Sequence, residues 1–420
     1  MSRISYTLLY YLLLPVVFLR LWLRGRKAPL YRRRWKERLG FFEAPEQPGG
    51  LWLHSVSVGE TIAAAPLIKQ IQQAYPELPI TVTTMTPTGS ERVKALFGES
   101  VFHVYVPYDT PGAVKRFLRR VKPRLALIME TELWPNLVHH CARQQIPVLI
   151  ANARLSERSA RGYGRFAGLT ADMLGKISAI AAQGKADGER FTGLGLAPEK
   201  LHITGSVKFD IQVADPLLKA GKTLRQTWGA QRPVWVAAST HQGEDEPILE
   251  AFGQVLETHP EALLVLVPRH PERFAMVAEL CRARFKSVRR SSGETVTPQT
   301  QVLVGDTMGE LMLLFAASDI AFVGGSLVPS GGHNFLEPAA LALPVLSGPH
   351  VFNFADISQL LVAAGGMLKL DGADELARQV SEWLESPALR DQVGQAARSV
   401  VEANRGAQQR LFELVSRYLS

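Results

Sequence analysis

Apolar and polar positions alternate in blocks along most of the chain. From Leu51 onward, short runs that are mostly apolar are separated by stretches with helical periodicity. These runs are Leu51–Val56, Ile80–Thr84, Val101–Val106, Leu125–Met129, Val148–Ala151, Ala179–Ala182 and Leu201–Thr204. A second series repeats the pattern at Val234–Ala238, Leu263–Val267, Val302–Val304, Ile320–Val323, Pro344–Leu346 and Met367–Leu370. Amphipathic stretches such as Glu60–Tyr75, Trp134–Gln144, Asp245–Thr258 and Pro271–Phe285 lie between them. Runs with no polar face predict strands covered on both sides, in parallel sheets flanked by helices. So many strands exceed one ordinary sheet, and the alternation breaks at GSVKFDIQVADP, Gly205 to Pro216. The expected class is therefore α/β: two Rossmann-like, doubly wound parallel-sheet halves facing each other across a cleft. Ligands of such sheets bind beyond the carboxyl ends of the strands. Pro387 to Leu419 reads as helix and is free to pack on either half.

The amino terminus follows a different pattern. Tyr6 to Leu23 is an apolar run whose one charge is Arg20. As a helix it measures about 27 Å, slightly short of a roughly 30 Å hydrocarbon layer. The next residues, GRKAPLYRRRWKER, interleave basic side chains with Tyr31 and Trp35, as suits anionic headgroups. No small-residue cleavage site follows the run, so a removed signal peptide fits poorly. The expectation is a membrane anchor, spanning or lying shallow, with everything after residue 24 on the cytoplasmic side. A buried core helix is the competing reading.

Charge sharpens this picture. The first forty residues hold ten basic side chains (Arg3, Arg20, Arg24, Arg26, Lys27, Arg32, Arg33, Arg34, Lys36, Arg38) against Glu37 alone. The remaining 380 residues carry 37 basic and 38 acidic side chains. The excess is local, so no nucleic-acid-binding body is implied. Cys141 and Cys281 stand far apart outside any metal-ligand spacing, which excludes a disulfide scaffold and a structural zinc site.

Candidate chemistry sits where strands end. In HSVSVGE, Glu60 falls in the first turn of a helix, as a reactive carboxylate or as an ordinary dipole-matched acid. METELWPNL carries Glu130 and Glu132, which share one side if extended. They suit acid/base work or hydroxyl contacts, or else cap the following helix. Arg154, Arg158 and Arg161 make a basic stripe if helical, facing a phosphorylated substrate or only solvent. Lys208 in GSVKFD reaches a ligand or is a hinge lysine. In the second half, VPRHPERF places Arg269 and His270 at a strand end, and VGDTMGEL places Gly309 and Glu310 at a helix start. FVGGSLVPSGGHNFLEP runs from a strand through two glycine pairs to a helix expected near His333–Asn334. Such a loop brings backbone N–H groups close to a phosphate, with Glu337 placed for ribose hydroxyls. Neither GxGxxG nor GxxxxGK[ST] occurs there, so neither a dinucleotide fold nor an ATPase is indicated. No DxD follows a strand to hold a divalent cation. The acidic run Glu244-Asp245-Glu246 opens a helix and reads as a dipole-matched cap.

Taken together, HSVSVGE, TTMTPTGSERV, METELWPNL, NARLSERSARGY, GSVKFD, VPRHPERF, GDTMGEL and GGHNFLEPA resemble the 3-deoxy-D-manno-octulosonic acid (Kdo) transferases of lipopolysaccharide synthesis. The resemblance covers essentially the whole chain. It implies a GT-B fold, with a membrane anchor over 1–24 and a basic juxtamembrane segment over 25–48. An acceptor-binding half over 49–208 and a CMP-Kdo-binding half over 209–420 follow, with packing of the terminal helix back on the first half left open. It implies inverting transfer of Kdo from CMP-Kdo to the tetraacylated, bisphosphorylated lipid A precursor (lipid IVA), without metal or cofactor, at the cytoplasmic face of the inner membrane. Glu60 is then the general base, with Glu130 and Lys208 at the transition state. CMP contacts fall to Pro268, Arg269, Gly309, Glu310, Leu311, Asn334, Phe335, Leu336 and Glu337. Two other readings compete. A sugar-nucleotide epimerase shares the architecture but needs no anchor, and a membrane-docked nucleotide-binding scaffold would tolerate loss of Glu60.

Overall fold

A computed structural model of the chain describes residues 1–26 and 28–419; Lys27 of the basic segment lies outside them. The chain divides into two units, Met1–Asp210 with Arg405–Ser420, and Ile211–Asn404.

The first unit holds β1 (Leu51–His54), β2 (Ile80–Thr84), β3 (Phe102–Tyr105), β4 (Leu125–Met129), β5 (Val148–Ala153), β6 (Ala179–Ala182) and β7 (Leu201–Ile203). They form one parallel sheet in the order β3-β2-β1-β4-β5-β6-β7. The second unit holds β8 (Val234–Thr240), β9 (Leu263–Pro268), β10 (Ser287–Arg289), β11 (Val302–Val304), β12 (Ile320–Val323), β13 (Val345–Ser347) and β14 (Met367–Lys369). Its order is β10-β11-β9-β8-β12-β13-β14, again parallel. Every expected strand is present within a residue or two. The strand that apolar runs miss is β10: it is a half-buried edge strand reading Ser-Val-Arg, so it never needs a full apolar run. The expected helix over Pro271–Phe285 is broken into a short turn, Pro271–Arg273, and a helix, Phe274–Arg282.

Both sheets are covered on both faces. In the first, Trp52, Ile128 and Ile150 pack with Phe117 on one side, the Trp52 and Phe117 rings 4.6 Å apart. On the other, Leu51, Leu53 and Leu127 meet Ile68 of the helix Val58–Ala74 and Leu411 and Leu414 of the last helix, Ala407–Leu419. That last helix is thus core of the first unit. It is fastened at its start by Asp210, whose carboxylate accepts the N–H groups of Gly406 and Gln408, both at 2.6 Å. In the second unit, Trp235 and Phe322 pack with Phe252 and Trp383. Truncating a fully buried Phe such as Phe117 would cost about 3–5 kcal/mol.

The topology fixes where ligands go. In the first sheet the chain winds from β1 outward through β2 and β3, then crosses to β4; the strand order reverses between β1 and β4. In the second it reverses between β8 and β12. Doubly wound sheets bind ligands at these points, beyond the strands' carboxyl ends, because the connecting loops diverge there.

The basic segment does more than sheathe the surface. Arg38 is buried, lies 4.3 Å over the Tyr105 ring and donates to the Met85 carbonyl at 2.8 Å. Arg34 pairs with Glu37 at 2.6 Å and reaches Ser90 Oγ at 2.8 Å. These two arginines stitch the segment to β3 and the helix behind β2.

Candidate active site

In the first unit, three of the expected residues gather at the reversal between β1 and β4. Glu60 is the third residue of the helix that follows β1. Its carboxylate accepts the Val56 N–H at 2.7 Å and the Ser57 hydroxyl at 3.0 Å, while Ser57 caps the helix. Capping contacts and the helix dipole favour the ionised form. The carboxyl nevertheless has its pKa raised to about 7: burial disfavours the charge, and the carboxylates of Glu130 and Glu132 repel it, against the opposing Val56 and Ser57 contacts. An ordinary cap titrates low; one held near neutrality is suited to accept a proton at the working pH.

Glu130 follows β4 directly. Its φ is +58°, so the METE segment is not extended and the side-by-side arrangement expected of Glu130 and Glu132 does not form. Glu132 instead accepts the Trp134 indole N–H at 2.8 Å. Neither glutamate caps the helix Pro135–Arg143. That falls to Asp109, which accepts the Asn136 and Leu137 N–H groups at 3.0 and 2.7 Å. Left-handed backbone at a non-glycine residue costs of order 1 kcal/mol or more, and here it recurs at the carboxyl ends of β4 (Glu130), β5 (Asn152) and β8 (Ser239). Asn152 in turn accepts the Val207 N–H at 3.2 Å, tying the short turn Val207–Phe209, and with it Lys208, to the end of β5. His54 at the end of β1 bonds the Thr83 carbonyl through Nδ1 at 3.1 Å; burial pushes its pKa down to about 4, so the ring is neutral. The arginine stripe is shorter than expected. The helix begins at Glu157, leaving Arg154 in the preceding turn, while Arg158 and Arg161 are exposed on it.

In the second unit, a cavity of about 240 Å³ opens at the carboxyl ends of β8, β9, β11 and β12. Its lining includes Pro268, Arg269, Gly309, Leu311, Asn334 and Glu337, brought together from three separate motifs. The Asn334 amide donates to Glu337 at 3.1 Å, and burial raises the Glu337 pKa. The remaining three expected contacts do not present side chains to it. Glu310 is held by Arg290 at 2.8 Å, and Phe335 and Leu336 are fully buried. The helix expected near His333–Asn334 begins later, at Leu336, and runs only to Ala340.

Two features were missed. The first is Glu244, which does not act as the expected dipole-matched cap. It is fully buried, and its carboxylate accepts four backbone N–H groups, His241 and Gly325 on one oxygen and Ser326 and Leu327 on the other, at 2.7–2.9 Å. It clamps the glycine-rich loop after β12 to the end of β8. Gly324 and Gly325 are needed for that clamp: a Cβ on Gly324 would lie 2.8 Å from the Ser239 carbonyl, and Gly325 has φ +67°. The second is a histidine pair, His241 and His333, with Nε2 atoms 2.8 Å apart and rings nearly parallel. His333 also borders the cavity, and burial with the His241, Arg269 and His270 charges lowers its pKa to about 4. Local pattern marks the single residues but pairs neither feature, because Gly325 lies 81 positions after Glu244 and His333 lies 92 after His241.

A family model described as 3-deoxy-D-manno-octulosonic-acid transferase (kdotransferase) matches residues 33–211. A 3-deoxy-D-manno-octulosonic acid transferase of Haemophilus influenzae is 50% identical over 423 residues, covering 100% of this chain and 99% of that protein. One of Bordetella pertussis is 36% identical over 434 residues, covering 100% of both. Among solved structures, a UDP-GlcNAc 2-epimerase from Neisseria meningitidis bound to UDP-GlcNAc matches with a TM-score of 0.57 at 14% identity, over 88% of this chain and 99% of that one. That likeness is one of fold alone, and it bears out the expected GT-B-like class.

Proposed function

Because the chain belongs to the 3-deoxy-D-manno-octulosonic acid transferase family, we propose that it transfers Kdo from CMP-Kdo to the tetraacylated, bisphosphorylated lipid A precursor, with inversion, in lipopolysaccharide synthesis. The observation that carries the chemistry is Glu60: a carboxyl at the reversal point of the first sheet with its pKa raised to about 7. It takes the proton from an acceptor sugar hydroxyl as that oxygen bonds to the anomeric carbon of Kdo. The bond from that carbon to the CMP phosphate breaks, and its electron pair leaves with the phosphate. Glu130 sustains the raised Glu60 pKa, and Lys208 supplies a compact cation to an anionic group of the donor.

The second unit holds the cytidylate. Arg269 and the backbone around Gly309 supply positive charge and N–H donors for the phosphate, and Glu337 accepts from ribose hydroxyls. Arg269→Ala is expected to raise the donor KM by about 10–100-fold, the loss of a charge-assisted hydrogen bond of about 1.5–3 kcal/mol. Steady-state kinetics with varied CMP-Kdo measures it. No DxD follows a strand in this sequence, and these cations can carry the leaving-group charge. Turnover is therefore expected to persist in excess EDTA; activity abolished by the chelator and restored by a divalent cation would overturn that part.

The acceptor is a lipid, so the chain works at a bilayer surface, with its body on the cytoplasmic side of the inner membrane. Arg154, Arg158 and Arg161 are the side chains for acceptor phosphates. The decisive experiment is mass spectrometry of the lipid product after purified full-length protein meets CMP-Kdo and the lipid A precursor. A mass gain of one or more Kdo residues is expected, and unchanged lipid beside intact, folded protein would refute the reading.

A further inference from the structure

The helix Arg3–Arg24 has the length and apolar composition of a membrane-spanning segment. Its contacts describe a different posture. Residues 3, 6, 7, 10, 14, 17, 18 and 21 are the ones withdrawn from solvent, a spacing of three and four that marks one face of a helix. That face is fastened to the first unit from end to end. Near its start, Arg3 and Thr7 both donate to Asn136 Oδ1 at 3.0 Å, and Tyr6 stands beside the Asp109 carboxylate. Near its end, the Phe18 ring lies 5.3 Å from Trp35 and 5.6 Å from Tyr108. Residues 3 to 21 span about 27 Å of helix, so the body runs alongside nearly the whole length.

The opposite face is apolar and uncovered: Ile4, Leu8, Leu12, Val16 and Leu19 are exposed at intervals of three and four, Leu12 at 75%. Where the helix ends, the chain folds back and the guanidinium groups of Arg26 and Arg32 each lie 4.9 Å from the Trp22 ring. An apolar stripe ending in aromatic and basic side chains is the pattern of a helix lying in a headgroup layer.

We propose that this helix lies in the plane of one leaflet of an anionic bilayer, its uncovered face in the acyl layer, its other face carrying the first unit and its amino terminus on the same side as the body. The inference rests on the reading that the chain works at a membrane, and deepens it. A perpendicular helix would have to shed the Asn136, Asp109 and Trp35 contacts. Otherwise it would drag their surroundings into hydrocarbon, including the helix Pro111–Val121, which begins two residues after Asp109 and carries exposed Lys115 and Arg119. Lying flat requires neither. The concentration of basic side chains in the first forty residues matches an anionic lipid surface.

Ser2→Cys in the full chain tests this, since the native Cys141 and Cys281 are both buried. A membrane-impermeant maleimide is expected to label position 2 in permeabilised cells and not in intact spheroplasts. Labelling in intact spheroplasts puts the amino terminus across the membrane and overturns the inference, while leaving the membrane reading intact. With purified full-length protein on phosphatidylglycerol-containing vesicles, spin labels at positions 4, 12 and 19 are expected to report one shared shallow depth. A profile deepest at position 12 overturns the inference. Failure of the protein to bind those vesicles at low salt overturns the membrane reading along with it.

Discussion

Glu60→Gln is expected to lower turnover by about 10²–10⁴-fold with cytidylate binding nearly unchanged, because a positioned general base contributes that much and the amide keeps the shape without accepting a proton. The pH profile adds a sharper signature. The base works ionised, and its pKa is raised to about 7, so kcat/KM rises with pH through that value and levels off above it. The Glu130 carboxylate is one cause of the raised pKa, after burial. Glu130→Gln therefore moves the rising limb to lower pH, whatever it does to the plateau. Turnover of the Glu60→Gln protein within a few-fold of the parent, or a rising limb that survives in it, would remove Glu60 from the role of base.

The second large effect is expected at Glu244, a position with no part in the chemistry. Glu244→Ala leaves four backbone N–H groups without their acceptor in a buried site. An unsatisfied buried donor costs about 1–3 kcal/mol, and solvent entering the vacated space recovers part, so a loss of about 3–5 kcal/mol is expected. For a unit of this size that is a fall of about 10 °C in its Tm. Glu244→Gln separates this account from a mere cavity. Both carboxylate oxygens already accept two N–H groups each, so an amide must turn its NH₂ toward two donors. The usually mild exchange is therefore nearly as damaging as truncation, in Tm by calorimetry and in donor KM as the loop after β12 loosens. A Glu244→Gln protein with parental Tm and KM would overturn the clamp.

Glu60 and Glu244 mark the limits of reading this chain from its sequence. Both are acids at the start of a helix after a central strand, and local pattern assigns each to the same dipole-matched place. Only the fold separates them. Glu60 feels the charges of Glu130 and Glu132, which follow a strand added on the other side of β1. Glu244 is swallowed by a loop some eighty residues later. The arginines of the amino-terminal segment divide in the same way: Arg34 and Arg38 are consumed by packing on β3, although the charge run treats all ten basic residues alike.

Sequence alone determined the quantities that depend on neighbours along the chain. Among the described residues, apolar runs named thirteen of the fourteen strands, since a strand buried on both faces must be apolar throughout. Motif order named the family, and glycine pairs located the loop beside the cavity. Tertiary structure alone decided which groups share a low-dielectric environment, which face of the first helix is occupied, and which donors one carboxylate must satisfy. Those are long-range properties: pKa, burial and hydrogen-bond satisfaction are set by whatever stands within a few ångströms. At the sheet reversals, what stands there comes from residues tens of positions away in sequence.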